Sequence, residues 1–128
     1  MKFLLTSAGI KNTSIHNALV DLLGKPIAEA SALCIPTAIL PFPGGPSMAY
    51  RFISGLTANP MCELGWKSLD VLELTALPSI KKEYWIAAFQ EADALLVNGG
   101  DVMYLYRWMH ESGLADLLPS LRKTVYVG

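Results

Sequence analysis

The sequence has few charged residues for its length. Asp, Glu, Lys and Arg make up 16% of its 128 residues, against about 25% in a typical soluble domain, while 52% are hydrophobic. Two interpretations stay open: a compact α/β core with buried strands, or an apolar surface covered by another subunit or by further polypeptide. The net charge of −1 gives no electrostatic case for nucleic-acid binding, which calls for a clustered basic surface.

Long apolar runs and cysteine motifs are also missing. No run reaches the roughly 18 residues of a membrane span, and the apolar part of "MKFLLTSAG" is shorter than the roughly 7–15 residues of a secretory signal. We therefore expect a cytoplasmic protein with no membrane partner. Cys34 and Cys62 show neither CxxC nor Cys/His metal spacing, so we expect no metal, no cofactor and no cysteine nucleophile.

Apolar strand patterns alternate with helical patterns along the whole chain. Strands are predicted at "KFLLTSAG", "SALCIPTAIL", "LDVLELTAL", "DALLVNGG" and "KTVYVG", and helices at about 12–24, 46–55, 78–92 and 102–112. This order predicts a single α/β domain over residues 1–128, with three α/β/α layers around a mainly parallel, doubly wound sheet.

Capping residues mark two of the predicted helices. Asn12 or Thr13 can cap the first, and Gly24 can end it. Asp101 is predicted to cap the helix that begins at residue 102. That helix is expected to turn an apolar stripe inward, formed by Val102, Leu105, Tyr106 and Met109.

The stretch "LLVNGGDVMYL" (95–105) joins an apolar strand to this helix. A plain turn explains it, because glycine permits tight geometry and aspartate is a good helix cap. A phosphate cradle is the alternative, since helix N-termini attract anions. However, the chain lacks G-x-G-x-x-G and G-x-x-x-x-G-K-[ST], and Asp101 would repel a phosphate.

Four segments taken together favour a third interpretation. They are "LLTSAGIKNTSI", "CIPTAI" (34–39), "LLVNGGDVMYLYRWMHESGLADLL" (95–118) and "TVYVG" (124–128). In this order they resemble the peptidase E family, serine peptidases of the S51 type. That family has an I-P-T-A strand, a G-G-N or G-G-D turn followed by a helix ending in "SGL", and a strand that runs into G-x-S-A-G.

The resemblance implies a fold similar to class I glutamine amidotransferases, here truncated after the fifth strand. It implies a serine peptidase that cleaves short peptides, including dipeptides with an N-terminal aspartate. By position the Gly100 N–H would belong to the oxyanion hole, with Gly99 and Asp101 beside the substrate. Asp101 departs from the commoner asparagine, so its contact with substrate is open. Gly128 would be the first glycine of G-x-S-A-G.

The nucleophile expected from this resemblance is not in the chain. It would stand two residues after Gly128, and the catalytic histidine and carboxylate would follow it. His16 and His110 are expected to be surface or packing residues, and Ser7 lacks an elbow sequence. We therefore expect the 128-residue chain alone to be inactive.

Two alternatives remain from the sequence. One is a non-catalytic module of the same fold that binds a small anion at Gly99-Gly100. The other is an interaction half that needs a partner, either a second copy in a homodimer or a missing carboxyl-terminal half. For the hydrolase, the expected partner is a short peptide substrate.

Overall fold

The computed structural model describes residues 1–7, 9–58 and 60–128. Its strands are β1 (Lys2–Leu4), β2 (Ser31–Ile35), β3 (Ser68–Val71), β4 (Ala94–Val97) and β5 (Val125–Val127). Its helices are α1 (Thr13–Leu23), α2 (Gly45–Ile53), α3 (Lys82–Glu91), α4 (Val102–Glu111) and α5 (Leu114–Leu117). The strands form one sheet in the order β1-β5-β4-β2-β3, and each neighbouring pair is parallel. The predicted parallel α/β fold is confirmed.

The chain winds outward over one face of this sheet and returns over the other. From β1 to β3, α1 and α2 bury Leu19 and Phe52 on the face that carries Leu96. From β3 to β5, α3 and α4 cover the opposite face, where Phe89 packs with Leu95. Because both faces are covered, consecutive residues of β4 are all apolar and buried, as a sandwiched parallel strand requires.

This winding creates a topological switch point between β2 and β4. The two strands are direct neighbours, with Ile35 opposite Val97, yet β2 leads to α2 on one face and β4 leads to α4 on the other. The loops that leave their carboxyl ends therefore diverge and open a crevice. Open α/β sheets bind ligands at such a crevice.

Every strand is shorter than the segment predicted for it, and two of them, β2 and β3, are followed by 3₁₀ segments where strand was predicted. β2 ends at Ile35 because Pro36 has no N–H to continue the pairing, and a 3₁₀ turn follows at Thr37–Ile39. β3 ends at Val71, and "LTALPS" forms a 3₁₀ segment, Leu74–Ser79. The prediction of continuous strands through residues 40 and 77 is therefore wrong, and α3 begins later than predicted, at Lys82.

The predicted helix caps are confirmed. Asn12 Oδ1 accepts a hydrogen bond from the Ile15 N–H at 2.9 Å, so Asn12 rather than Thr13 caps α1. Asp101 Oδ1 accepts a hydrogen bond from the Tyr104 N–H at 3.0 Å and caps α4. These bonds satisfy donors that would otherwise be unpaired at the start of each helix.

The predicted inward stripe of α4 is only half correct. Leu105 and Met109 pack against the core, but Val102 is 75% exposed and Tyr106 is 60% exposed. α4 begins after β4 has ended, and neither Val102 nor Tyr106 is among the residues that pack on the described core clusters. Phe3 and Leu5, at the β1 edge, are also exposed. In the described part of the chain, no helix is long and apolar enough to cross a membrane.

Candidate functional site

The Gly99-Gly100-Asp101 turn is held against the 3₁₀ turn that follows β2. The Asn98 N–H donates to the Ile35 carbonyl at 3.1 Å, and the Asp101 N–H donates to the Ala38 carbonyl at 2.8 Å. Gly100 has φ +152°, and a Cβ placed there would lie 2.3 Å from the Ala38 oxygen. Only glycine fits this contact, because glycine has no Cβ and adopts a positive φ without steric strain.

The Gly100 backbone is exposed and its N–H is free. In the described ranges, no acceptor receives a hydrogen bond from the N–H of Gly99 or of Gly100, although the N–H groups of Asn98 and Asp101 that flank the two glycines are both paired. The residue also lies at the start of α4, where the helix dipole favours negative charge. The two glycines of the turn therefore offer two donors to an anionic oxygen, and Gly100 is the one that the family resemblance assigns to the oxyanion hole.

Gly128 lies at the same edge of the sheet. β4 and β5 are adjacent, with Ala94 opposite Val125 and Leu96 opposite Val127, so the carboxyl ends of both strands meet there. The Gly128 N–H donates to the Leu4 carbonyl at 3.1 Å, which continues the pairing of β5 with β1. The predicted adjacency of segments 93–98 and 124–128 is confirmed.

Two pockets flank the Asn98-Gly99 segment. The first, about 220 Å³, is bordered by Thr6 and Ser7 after β1, Asn98 and Gly99 after β4, and Gly128 after β5. The second, about 330 Å³, lies at the switch point between β2 and β4. Its walls include Ile39, Met48, Arg51, Thr57, Asn98 and Gly99. Since both pockets share Asn98 and Gly99, a ligand that spans them would pass over the glycine turn.

The structure locates the other residues singled out in the sequence. Ser7 borders the first pocket beside Gly128. His16 lies exposed on α1, and His110 lies exposed on α4 with its ring centroid 4.5 Å from that of Tyr106. Neither histidine is among the residues that border the two pockets. Within the ranges that the structure describes, no group of three or more His, Cys, Asp or Glu side chains could hold a metal ion.

Sequence reasoning missed Arg51. It lies on α2, and its Nη2 donates to the Leu56 carbonyl at 3.3 Å, which holds the guanidinium near the second pocket. No short motif marks this residue. Its proximity to Gly99 arises only when α2 and the β4–α4 turn meet at the switch point.

Cys34 and Cys62 form a buried pair of free thiols. Their sulfur atoms are 3.2 Å apart. The hydrogen bond with Cys34, followed by burial, raises the pKa of Cys62 far above its usual value. A thiol must lose its proton to act as a nucleophile, so this environment is unsuited to cysteine catalysis.

This raised pKa predicts a loss of stability in alkali. The Cys62 thiol of the unfolded chain ionises near its ordinary pKa of 9.0, whereas the folded chain keeps the proton. Stability from this group is therefore complete well below pH 9 and falls as the pH rises, by roughly 1 kcal/mol at pH 10. Urea unfolding at pH 8 and pH 10 measures the change. The Cys62→Ser variant should not lose this part of its unfolding free energy between pH 8 and pH 10. An equal loss in both proteins would show that Cys62 does not cause it.

The sequence matches no protein-family model and no curated protein. The structure is similar to a solved one, the 1.5 Å crystal structure of a "Putative Peptidase E Protein" from Listeria monocytogenes EGD-e. The TM-score is 0.64 at 17% sequence identity, and the match covers 100% of this chain and 58% of the other. The chain has a peptidase E-like fold. It spans little more than half the length of that neighbour, and at this identity the likeness establishes the fold alone.

Proposed function

We propose that this chain is the amino-terminal portion of a peptidase E-like serine hydrolase that cleaves short peptides. The observation that carries the proposal is the free N–H of Gly100, in the turn that follows β4 at the sheet edge where the neighbouring strand β5 also ends. An N–H fixed by the fold stabilises the oxyanion of a tetrahedral intermediate without reorganising during the reaction. The tight contact between Gly100 and Ala38 supplies that fixation.

The nucleophile would follow β5, the strand that pairs with β4. If G-x-S-A-G begins at Gly128, its serine stands on a strand-to-helix turn that adjoins the first pocket. Gly99 would line the substrate path on both sides of the turn. The carboxylate of Asp101 accepts the Tyr104 N–H, so we assign Asp101 to helix capping rather than to substrate contact.

A reaction on this arrangement would follow the general course of serine hydrolases. The serine attacks the peptide carbonyl while a histidine accepts its proton, and the carbonyl oxygen becomes negative. The Gly100 N–H would donate to that oxygen. The leaving amine takes the proton from the histidine, and water then releases the acyl group. In this proposal the serine, the histidine and the carboxylate that orients it would lie outside these 128 residues.

The coding sequence after Gly128, combined with an activity assay, tests this proposal. We expect the second codon after Gly128 to encode serine. A protein that includes it should hydrolyse dipeptides and be labelled there by a fluorophosphonate, whereas the 128-residue chain should show neither property. Another residue at that position, or turnover by the 128-residue chain alone, would contradict the proposed mechanism.

A non-catalytic anion-binding module is the second candidate. The free Gly100 N–H and the cationic second pocket favour it as well, since both attract a small anion. Calorimetry separates the two functions. Binding of small acids or dipeptides by a serine-containing protein, with no turnover, would favour the module.

A further inference from the structure

We propose that Arg51 binds a carboxylate of the peptide substrate in the pocket between β2 and β4. This inference rests on the proposed hydrolase function and deepens it, because it assigns part of the substrate specificity to a residue of this chain. The ligand chemistry is a carboxylate, which could come from an acidic side chain or from the carboxyl terminus of a short peptide.

The position of the pocket supports a substrate site. It lies at the topological switch point, where open α/β sheets bind ligands. It also shares Gly99 with the turn that presents the Gly100 N–H. A peptide whose reacting carbonyl rests on Gly100 could therefore place an adjacent group beside Arg51. The volume, about 330 Å³, is at the lower end of the range for small-molecule sites.

The positive charge of Arg51 favours an anionic ligand in this pocket. Arg51 is the one charged residue among the described residues of its wall. Its hydrogen bond to the Leu56 carbonyl uses one of the five N–H donors of the guanidinium. The ion pairs among the described residues are Lys25–Asp93 and Arg107–Glu111, so none of the described carboxylates forms an ion pair with Arg51.

The remaining walls favour a carboxylate on a short apolar stem. Ile39 and Met48 provide apolar surface for methylene groups, and Asn98 provides an amide. A guanidinium binds a carboxylate through two parallel N–H···O bonds. A phosphate is less suitable, because the Asp101 carboxylate caps the helix beside the same turn and repels a dianion more strongly than a single negative charge.

Three dipeptides separate the two sources of the carboxylate. Asp-Leu amide carries only a side-chain carboxylate, Asn-Leu carries only a terminal one, and Asn-Leu amide carries neither. Each is titrated into the 128-residue chain at low salt, and binding is followed by calorimetry or by amide NMR shifts at Asn98 and Gly99. We expect one of the carboxylate peptides to bind at least about tenfold more tightly than Asn-Leu amide.

Variants assign that preference to Arg51. Arg51→Gln should remove the tenfold difference, and Arg51→Lys should keep part of it, because lysine retains the charge but not the bidentate geometry. Arg122→Gln is the matched control. It makes the same charge change before β5, at the opposite edge of the sheet, and should leave binding unchanged.

The outcomes also distinguish this inference from the proposed function. The inference is overturned if no peptide binds, if the three bind equally, or if Arg51→Gln and Arg122→Gln weaken binding to the same extent. Hydrolysis of acidic and neutral peptides with equal KM would leave the hydrolase standing and remove the role of Arg51. Carboxylate binding that depends on Arg51, in a gene product without the serine, would support the role of Arg51 and contradict the proposed hydrolase function.

Discussion

Replacing Gly100 with alanine is expected to destabilise the protein by about 2–6 kcal/mol. The new Cβ would lie 2.3 Å from the Ala38 oxygen and 2.5 Å from its carbonyl carbon, which are backbone atoms that cannot rotate away. Overpacking of this kind typically costs about 1–3 kcal/mol. The φ of +152° adds a further cost of about 1–3 kcal/mol, because residues with a Cβ rarely adopt it.

Gly99→Ala is the matched control for this prediction. A Cβ at Gly99 would meet no atom within 4 Å, and the residue is exposed. Its effect should stay within about 0.5 kcal/mol, as for other surface substitutions. Urea denaturation of the two variants measures the contrast. Equal stabilities would mean that the β4–α4 turn does not rest on Ala38 as described.

Gly100→Ala also bears on the proposed oxyanion hole. The alanine variant keeps its backbone N–H, so lost activity would reflect displacement of that donor rather than its removal. Gly99→Ala should leave the fold intact, but Gly99 borders both pockets, so this variant is a control for stability and not for peptide binding. The two variants therefore distinguish Gly100, which must be glycine because of its packing, from Gly99, where the same turn tolerates a side chain.

Much of the fold could be predicted because it depends on local and topological rules. Apolar runs such as "ALLV" mark strands buried on both faces, and alternation with helices then implies a parallel sheet. The adjacency of the strands that end near Gly100 and Gly128 was also predicted, although it came from the family resemblance. It did not come from periodicity alone.

Strand ends and helix orientation were harder to predict, for physical reasons. "SALCIPTAIL" is apolar throughout, but hydrophobicity does not report that Pro36 cannot donate to the ladder of an interior strand. The stripe of α4 is predicted from spacing, yet Val102, the first residue of the helix, is exposed. Periodicity identifies one face of a helix but does not show where the partner surface stops.

Arg51 illustrates a limit of a different kind. Its function in our proposal depends on the distance to Gly99, which is 48 positions away in the sequence and is reached only through the switch point between β2 and β4. No residue near Arg51 in the sequence reports this contact. A single sequence therefore predicts the glycine turn, which is a local feature, but not the cationic pocket beside it.

The "IPTA" and "GGD" segments contact each other directly. Pro36 ends β2, and Ala38 presents its carbonyl to the Asp101 N–H. Gly100 can approach only because it has no Cβ. The position of the free Gly100 N–H therefore depends on the 3₁₀ turn after β2 as much as on its own turn. The residue that secures this 3₁₀ turn is Thr37.

Thr37→Val is expected to destabilise the protein by about 2–4 kcal/mol. Thr37 is fully buried, and its hydroxyl donates to Glu73 Oε1 while accepting the Leu74 N–H at 3.2 Å. Valine has nearly the same shape but leaves the buried Leu74 N–H unpaired and removes a donor from the Glu73 carboxylate. A buried group left without its partner typically costs about 1–3 kcal/mol, and more where charge is involved.

Thr37→Ser separates the hydroxyl from the methyl group. It keeps both hydrogen bonds and loses one methyl group, so the expected cost is only about 1 kcal/mol. Amide exchange adds a local readout: Thr37→Val should accelerate exchange of the Asp101 N–H, which donates to Ala38, more than that of the Leu96 N–H in the sheet. If valine and serine destabilise equally, packing rather than hydrogen bonding secures the turn. The Glu73 carboxylate would then have no part in holding the Gly100 donor in place.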